Sequence, residues 1–221
     1  MHFLSQLHFL QAAPSMKPSI DVLELLLKGG VVMIPLAILS VLALVLIIER
    51  SLFYGRHLKY SDATYREFLQ HMNARNSAGA SAVCSAQQNS WGRVFSYATT
   101  DFGSIAEMDK AMEEAAEVEV ARLEKNLNYL SIIAGVAPLL GFIGTIVGVI
   151  TIFYDISISQ DISISVISEG LYKKMVTSAT GLVIGIIAYA AYHLFQNQID
   201  KFVNAIREQS LNLKVTLASR K

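Results

Sequence analysis

The residues best suited to chemistry in this 221-residue chain are hydroxyls set in apolar surroundings: Thr145 in one run, then Thr177, Ser178 and Thr180 in another. Such groups donate and accept hydrogen bonds without ionising, so they can order water or steady a neighbouring carboxylate, and they do no covalent work without an activating base. Two readings account for them. They line a polar path between helices, or they bond back to a carbonyl one turn earlier and serve packing alone. Lys173 and Lys174 stand just ahead of the second group, at the start of its helix, where the dipole disfavours cations. Either they snorkel to lipid phosphates, or they rim a vestibule and pair with an acid on a partner.

What these runs lack matters equally. None contains Asp or Glu in its interior, whereas proton transfer across a bilayer uses an ionisable group at mid-depth. If this chain moves protons, another polypeptide must bring the carboxylate. His193, beside Tyr189 and Tyr192, reads as part of an interfacial belt. The sole cysteine, Cys84, excludes an internal disulfide and a cysteine-rich metal site. No nucleophiles, carboxylates or metal ligands converge, so the expectation is a protein that is not an enzyme and holds no metal or cofactor.

The elements that carry these residues follow from composition. The chain is 53% hydrophobic and 16% charged, with a mean hydropathy of +0.43, against about 25% charged in soluble domains. A formal net charge of zero gives no sign of a nucleic-acid partner. Runs long enough to cross about 30 Å of hydrocarbon lie at 31–48, 131–154 and 173–195. Lysines and arginines concentrate in 49–130 and 196–221, which places those segments in the cytoplasm. The N-terminal segment 1–30 and the connection 155–172 then lie on the far side of the membrane, giving an N-out, C-in topology. The opening MHFLSQLHFLQAAP lacks the basic start and apolar core of a cleaved signal.

Within 49–130, the Ala-, Glu- and Leu-rich stretch from Ile105 is free of Pro and Gly and leads straight into the second span. It predicts one helix from Ile105 to about Tyr154, on the order of 75 Å long. The tail extends the third span likewise, with Ile199, Phe202, Val203, Ile206 and Leu213 as an apolar stripe. Such stripes pack inside the subunit or form subunit interfaces. Residues 71–103 predict short helices and turns, with Trp91 and Phe95 as ordinary core and Cys84 as inert packing. The repeated DISIS, at Asp155 and Asp161, reads as a hairpin loop.

Small residues mark one face of each of the last two spans. Ala137, Gly141, Thr145 and Gly148 recur at helical spacing in the second, and Gly144 with Gly148 forms a GxxxG. Thr177, Gly181, Gly185 and Ala188 do so in the third, with a GxxxG at Gly181 and Gly185. These glycines predict close helix packing.

These motifs carry a resemblance. APLLGFIGTIVGVITIF, from Ala137, and GLYKKMVTSATGLVIGIIAYAAYHLF, from Gly170, resemble the second and third spans of the MotA/TolQ/ExbB proton channel family. GGVVMIPLAILSVLALVLIIERSLF resembles the first, closing on the Glu49–Arg50 pair typical of the ExbB branch. The resemblance implies an all-α membrane protein with three transmembrane helices, two of them extended far into the cytoplasm, assembled as a homo-oligomeric, pentameric ring. It implies an ExbD-like single-span partner supplying the protonatable Asp, and a TonB-like transducer that powers outer-membrane uptake. By position it makes Thr145 and Ser178, with Thr177 beside it, the pore-lining hydroxyls of the proton pathway. Lys173 stands where the family often has Glu. A TolQ-like role, a motility stator and a non-conducting membrane scaffold are the alternatives.

Overall fold

The computed structural model describes residues 29–59, 61–159 and 164–219. Its described residues form helices α1 (Met33–His57), α2 (Asp62–Asn73), α3 (Ser77–Gln87), α4 (Ser90–Ser96), α5 (Ile105–Glu124), α6 (Leu127–Ser159) and α7 (Ile164–Ala218), with a 3-10 turn at Tyr97–Thr99. Among them α1, α6 and α7 contain stretches long and apolar enough to cross a membrane. Most of the expected segment 1–30 lies outside the described residues.

The local signals are those the chain chemistry requires. Pro35 sits in the first turn of α1, where its missing N–H has no helical partner to lose. Ser61, Asn76, Asn89 and Ser104 each accept a backbone N–H at the start of α2, α3, α4 and α5. α6 and α7 run antiparallel as a hairpin, with α1 leaning against both.

At one end of the hairpin, called here the globular end, α2 to α5 gather around the last turns of α7. Trp91 and Phe95 are buried and stacked, ring centroids 4.6 Å apart, and Phe68 meets both edge-on. The Trp91 indole donates to Gln209 Oε1 at 2.7 Å, and the Tyr65 hydroxyl to the Gln209 carbonyl at 2.7 Å. Cys84 is buried here too. Ile199, Phe202, Ile206 and Leu213 are buried and Val203 half-buried, so this stripe is covered within the subunit.

Glu119 is the buried carboxylate of the globular end. Arg93 holds both its oxygens, at 2.8 and 2.6 Å, and Arg122 approaches to 3.0 Å. Burial pushes its pKa up, but the Arg93 and Ser90 hydrogen bonds and the charges of Arg93 and Arg122 prevail and hold it below the usual carboxylate value.

Two expectations are corrected. The helix predicted from Ile105 through Tyr154 is broken: α5 ends at Glu124, Lys125 leaves the helical conformation at φ −51° and ψ 134°, and Asn126 takes a left-handed φ of 66° before α6 begins. The cause is long-range. In a continuous helix the Leu123 carbonyl would accept from the residue-127 N–H; here the Tyr54 hydroxyl donates to it at 2.8 Å and Arg50 at 3.4 Å. The expected loop 155–172 is also largely helical, since α6 continues to Ser159 and α7 starts at Ile164. Growth of each helix past its apolar run overrides the local Ile–Ser alternation.

Candidate functional site

The seam between α6 and α7 is built from glycines that admit the opposite backbone. A Cβ on Gly141 would lie 3.1 Å from the Ser178 Cα, and one on Gly181 only 2.5 Å from the Ala137 carbonyl oxygen. Further along, Gly185 receives the Pro138 ring, where a Cβ would sit 2.5 Å from Cγ. Toward the loop end, Gly144 admits the Thr177 methyl at 2.8 Å, and Gly148 lies under the Lys174 stem. Small residues permit such approach where lipid supplies little hydrophobic drive. The seam is internal to one subunit.

Each hydroxyl has a distinct setting. Thr145 is half-buried and donates to the Phe142 carbonyl at 2.6 Å; Thr180 donates to the Val176 carbonyl at 2.9 Å. Ser178 is half-buried at the margin of the seam. Thr177 is wholly buried, and its hydroxyl donates across 148 positions of sequence to the Gly29 carbonyl at 2.9 Å. It is turned into the subunit, its methyl on α6 and its oxygen on the turn before α1.

The lysines also part company. Lys173 pairs with Glu169 one turn back at 2.6 Å. Lys174 folds inward, its stem across Gly148 and its Nζ 3.5 Å from the position of a Gly30 Cβ. The structure therefore joins Gly141, Gly144, Gly148, Gly181, Gly185, Thr177 and Lys174 in one seam, with Thr145 and Ser178 at its margins and Lys173 on Glu169. The sequence reading missed Gly29 and Gly30. Their signal was the Gly-Gly pair itself, a turn dipeptide directly ahead of an apolar run, and Gly30 has a φ of 84°.

At the globular end of α1, Arg50 is buried, pairs with Glu49, and lies over the Phe53 ring at 4.7 Å. A cavity of about 860 Å³ between α5 and α7 has Met112, Val120, Phe202 and Ile206 as apolar lining and Glu113 and Asp200 among its acids. It lies away from the seam. Among the described residues no group of His, Cys, Asp or Glu could hold a metal ion.

Comparison with known proteins places this geometry. The sequence profile described as the MotA/TolQ/ExbB proton channel family matches residues 76–208, which include the seam. The chain belongs to that family. An ExbB-like 1 biopolymer transport protein of Synechocystis is 30% identical over 205 residues, covering 88% of this chain and 81% of its own. An ExbB homolog of Methanothermobacter thermautotrophicus is 26% identical over 190 residues, 84% of this chain and 66% of its own. The Tol-Pal system protein TolQ of Haemophilus influenzae is 29% identical over 99 residues, 45% of this chain and 42% of its own. With three apolar helices, the chain is a multi-pass inner-membrane protein of a proton-channel family.

Proposed function

We propose that this chain is the ring-forming subunit of a proton-driven motor of the ExbB type, with its N-terminus periplasmic and C-terminus cytoplasmic. Five copies surround an ExbD-like partner whose single transmembrane helix carries the protonatable Asp, and a TonB-like transducer receives the work for outer-membrane uptake. The observation that supports this reading best is chemical. Thr145 and Ser178 stand half-buried at the margins of the hairpin seam, while the spans hold no carboxylate of their own, so the channel needs an acid from outside.

In this mechanism no residue of the chain forms a covalent bond. Thr145 and Ser178 hydrogen-bond water and the partner's carboxylate as it gains and loses its proton, and the glycine seam keeps the two hydroxyl-bearing helices in fixed register. Lys173, held by Glu169, and Lys174 flank the mouth of the path. The TolQ relative supports a second reading, in which the same machine energises an envelope-spanning Tol-Pal system.

The test is co-purification with each single-span protein that carries a transmembrane Asp, with native mass spectrometry and proton flux in liposomes as readouts. A closed homo-oligomer that retains partner chains and conducts protons, with flux lowered by Thr145→Val and Ser178→Ala at unchanged assembly, is the expected result. A ring that assembles but binds no such partner and passes no protons would leave a membrane scaffold, while variants with undiminished flux would remove Thr145 and Ser178 from the proton path.

A further inference from the structure

We propose that Thr177 is a positioning residue that clasps the start of α1 to the α6–α7 hairpin and thereby fixes the placement of its neighbour Ser178. The inference rests on the proton-channel reading for its functional consequence and on geometry for its existence.

The start of α1 packs by one side only. Leu36 is wholly buried, while Ile34 and Ile38 are 63% and 56% exposed and Val31, just before the helix, 82%, so much of the apolar surface there faces away from the hairpin. Between apolar helices in a bilayer such contact gives little orientation, and a hydrogen bond to a backbone carbonyl supplies direction that methyl packing lacks. Thr177 supplies one. Its Oγ1 lies 2.9 Å from the Gly29 carbonyl, and the residue has no exposed surface at all.

The surroundings are shaped to this bond. Gly30, at a φ of 84°, makes the turn that precedes α1. A side chain on Gly29 would put its Cβ 2.9 Å from Thr177 Oγ1 and 2.3 Å from Met33 Cγ. On the opposite side, the Thr177 methyl fills the place of a Gly144 Cβ, which also lies 3.4 Å from Val32. Lys174, one turn earlier, reaches the same turn beside Gly30. One threonine of α7 thus meets α6 through its methyl and the turn before α1 through its hydroxyl.

The next residue is Ser178, whose Cα is 3.1 Å from the position of a Gly141 Cβ. Rotation of α7 about its axis would carry Thr177 and Ser178 together. Holding the first on Gly29 therefore sets the angle at which the second meets the proton path.

Two substitutions separate the hydroxyl from the methyl. Thr177→Val keeps the shape and leaves the buried Gly29 carbonyl without its donor; Thr177→Ser keeps the donor and loses the methyl. Spin labels at Ile38→Cys and Ile186→Cys, both exposed positions, report the α1–α7 distance by pulsed electron resonance, with labelled chains diluted among unlabelled ones. Buried Cys84 stays unlabelled. Thr177→Val is expected to add a second, displaced distance population, Gly29→Ala to reproduce it, and Thr177→Ser to keep the wild-type distribution. Proton flux of the partner complex should fall several-fold in Thr177→Val and be restored toward wild type in Thr177→Ser. A Thr177→Val distribution identical to wild type overturns the clasp. If the wild-type complex conducts no protons, the channel reading fails, and the distance measurement alone still decides the clasp.

Discussion

Replacing Gly181 with alanine sets helix propensity against backbone contact. Alanine is favoured over glycine inside a helix by about 0.8–1 kcal/mol. Against that gain, the new Cβ would stand 2.5 Å from the Ala137 carbonyl oxygen, 3.0 Å from the Gly141 Cα and 3.1 Å from the Gly141 nitrogen. All three are backbone atoms, so no rotamer change relieves the clash. Bringing the first contact from 2.5 Å to an ordinary 3.4 Å requires α6 and α7 to part by about 0.9 Å. Overpacking costs about 1–3 kcal/mol, and parting here also loosens the Gly141–Ser178 and Gly185–Pro138 contacts, so the upper part of that range applies. The clash wins by about 1–2 kcal/mol after the propensity gain is subtracted. Thermal unfolding of the detergent-solubilised protein by circular dichroism should fall by about 2–8 °C. Gly55→Ala is the matched control: it meets nothing within 4 Å and should be neutral or stabilising. A Gly181→Ala protein as stable as the Gly55→Ala protein would refute the seam as the element that sets helix separation.

Three further outcomes follow from the globular end. The folded Glu119 carboxyl lies below its unfolded value near 4.5, so its contribution is fully present above that value and is lost as pH falls through the folded one. Glu119→Gln should flatten the acid limb of unfolding read from the fluorescence of Trp91, the only tryptophan; an unchanged limb would show that the Arg93 pairing is immaterial. Asn126→Gly should be tolerated, while Asn126→Val should cost about 1–2 kcal/mol, because a β-branched residue resists the left-handed backbone that ends α5. Equal melting of the two variants would mean that the break relaxes into continuous helix. Burial pushes the Cys84 thiol up to about 12, so maleimide at pH 8 should label it only in denaturant, and rapid labelling of the native protein would contradict its place in the core.

The spans were legible because hydrocarbon-length apolar runs leave a signal that no distant contact cancels, and the glycine faces were legible because helical spacing alone aligns them. The break after Glu124 was not. Ala, Glu and Leu propensity runs smoothly through it, and the competing donors, Tyr54 and Arg50, come from 69 and 73 positions away. Asn126 was the local hint, being among the non-glycine residues that best tolerate positive φ. The hydroxyls were recognisable as special by type alone, yet spacing could not divide them. Thr177 and Ser178 are adjacent, and only the position of Gly29 directs one into the subunit while the other stays at the margin.

The two long arms of the hairpin differ mechanically. α6 meets α5 through a joint at Lys125–Asn126, whereas α7 passes unbroken from Ile164 to Ala218. Between Thr177 and Gln209 runs about 48 Å of continuous helix, clasped near one end to Gly29 and riveted at the other to Trp91 and Tyr65. A tilt of about 5° at the clasp would swing the rivet by about 4 Å over that length. In the motor proposed above, a displacement begun among the spans would reach the globular end along the unbroken α7, and the Lys125–Asn126 joint is where the other arm would give.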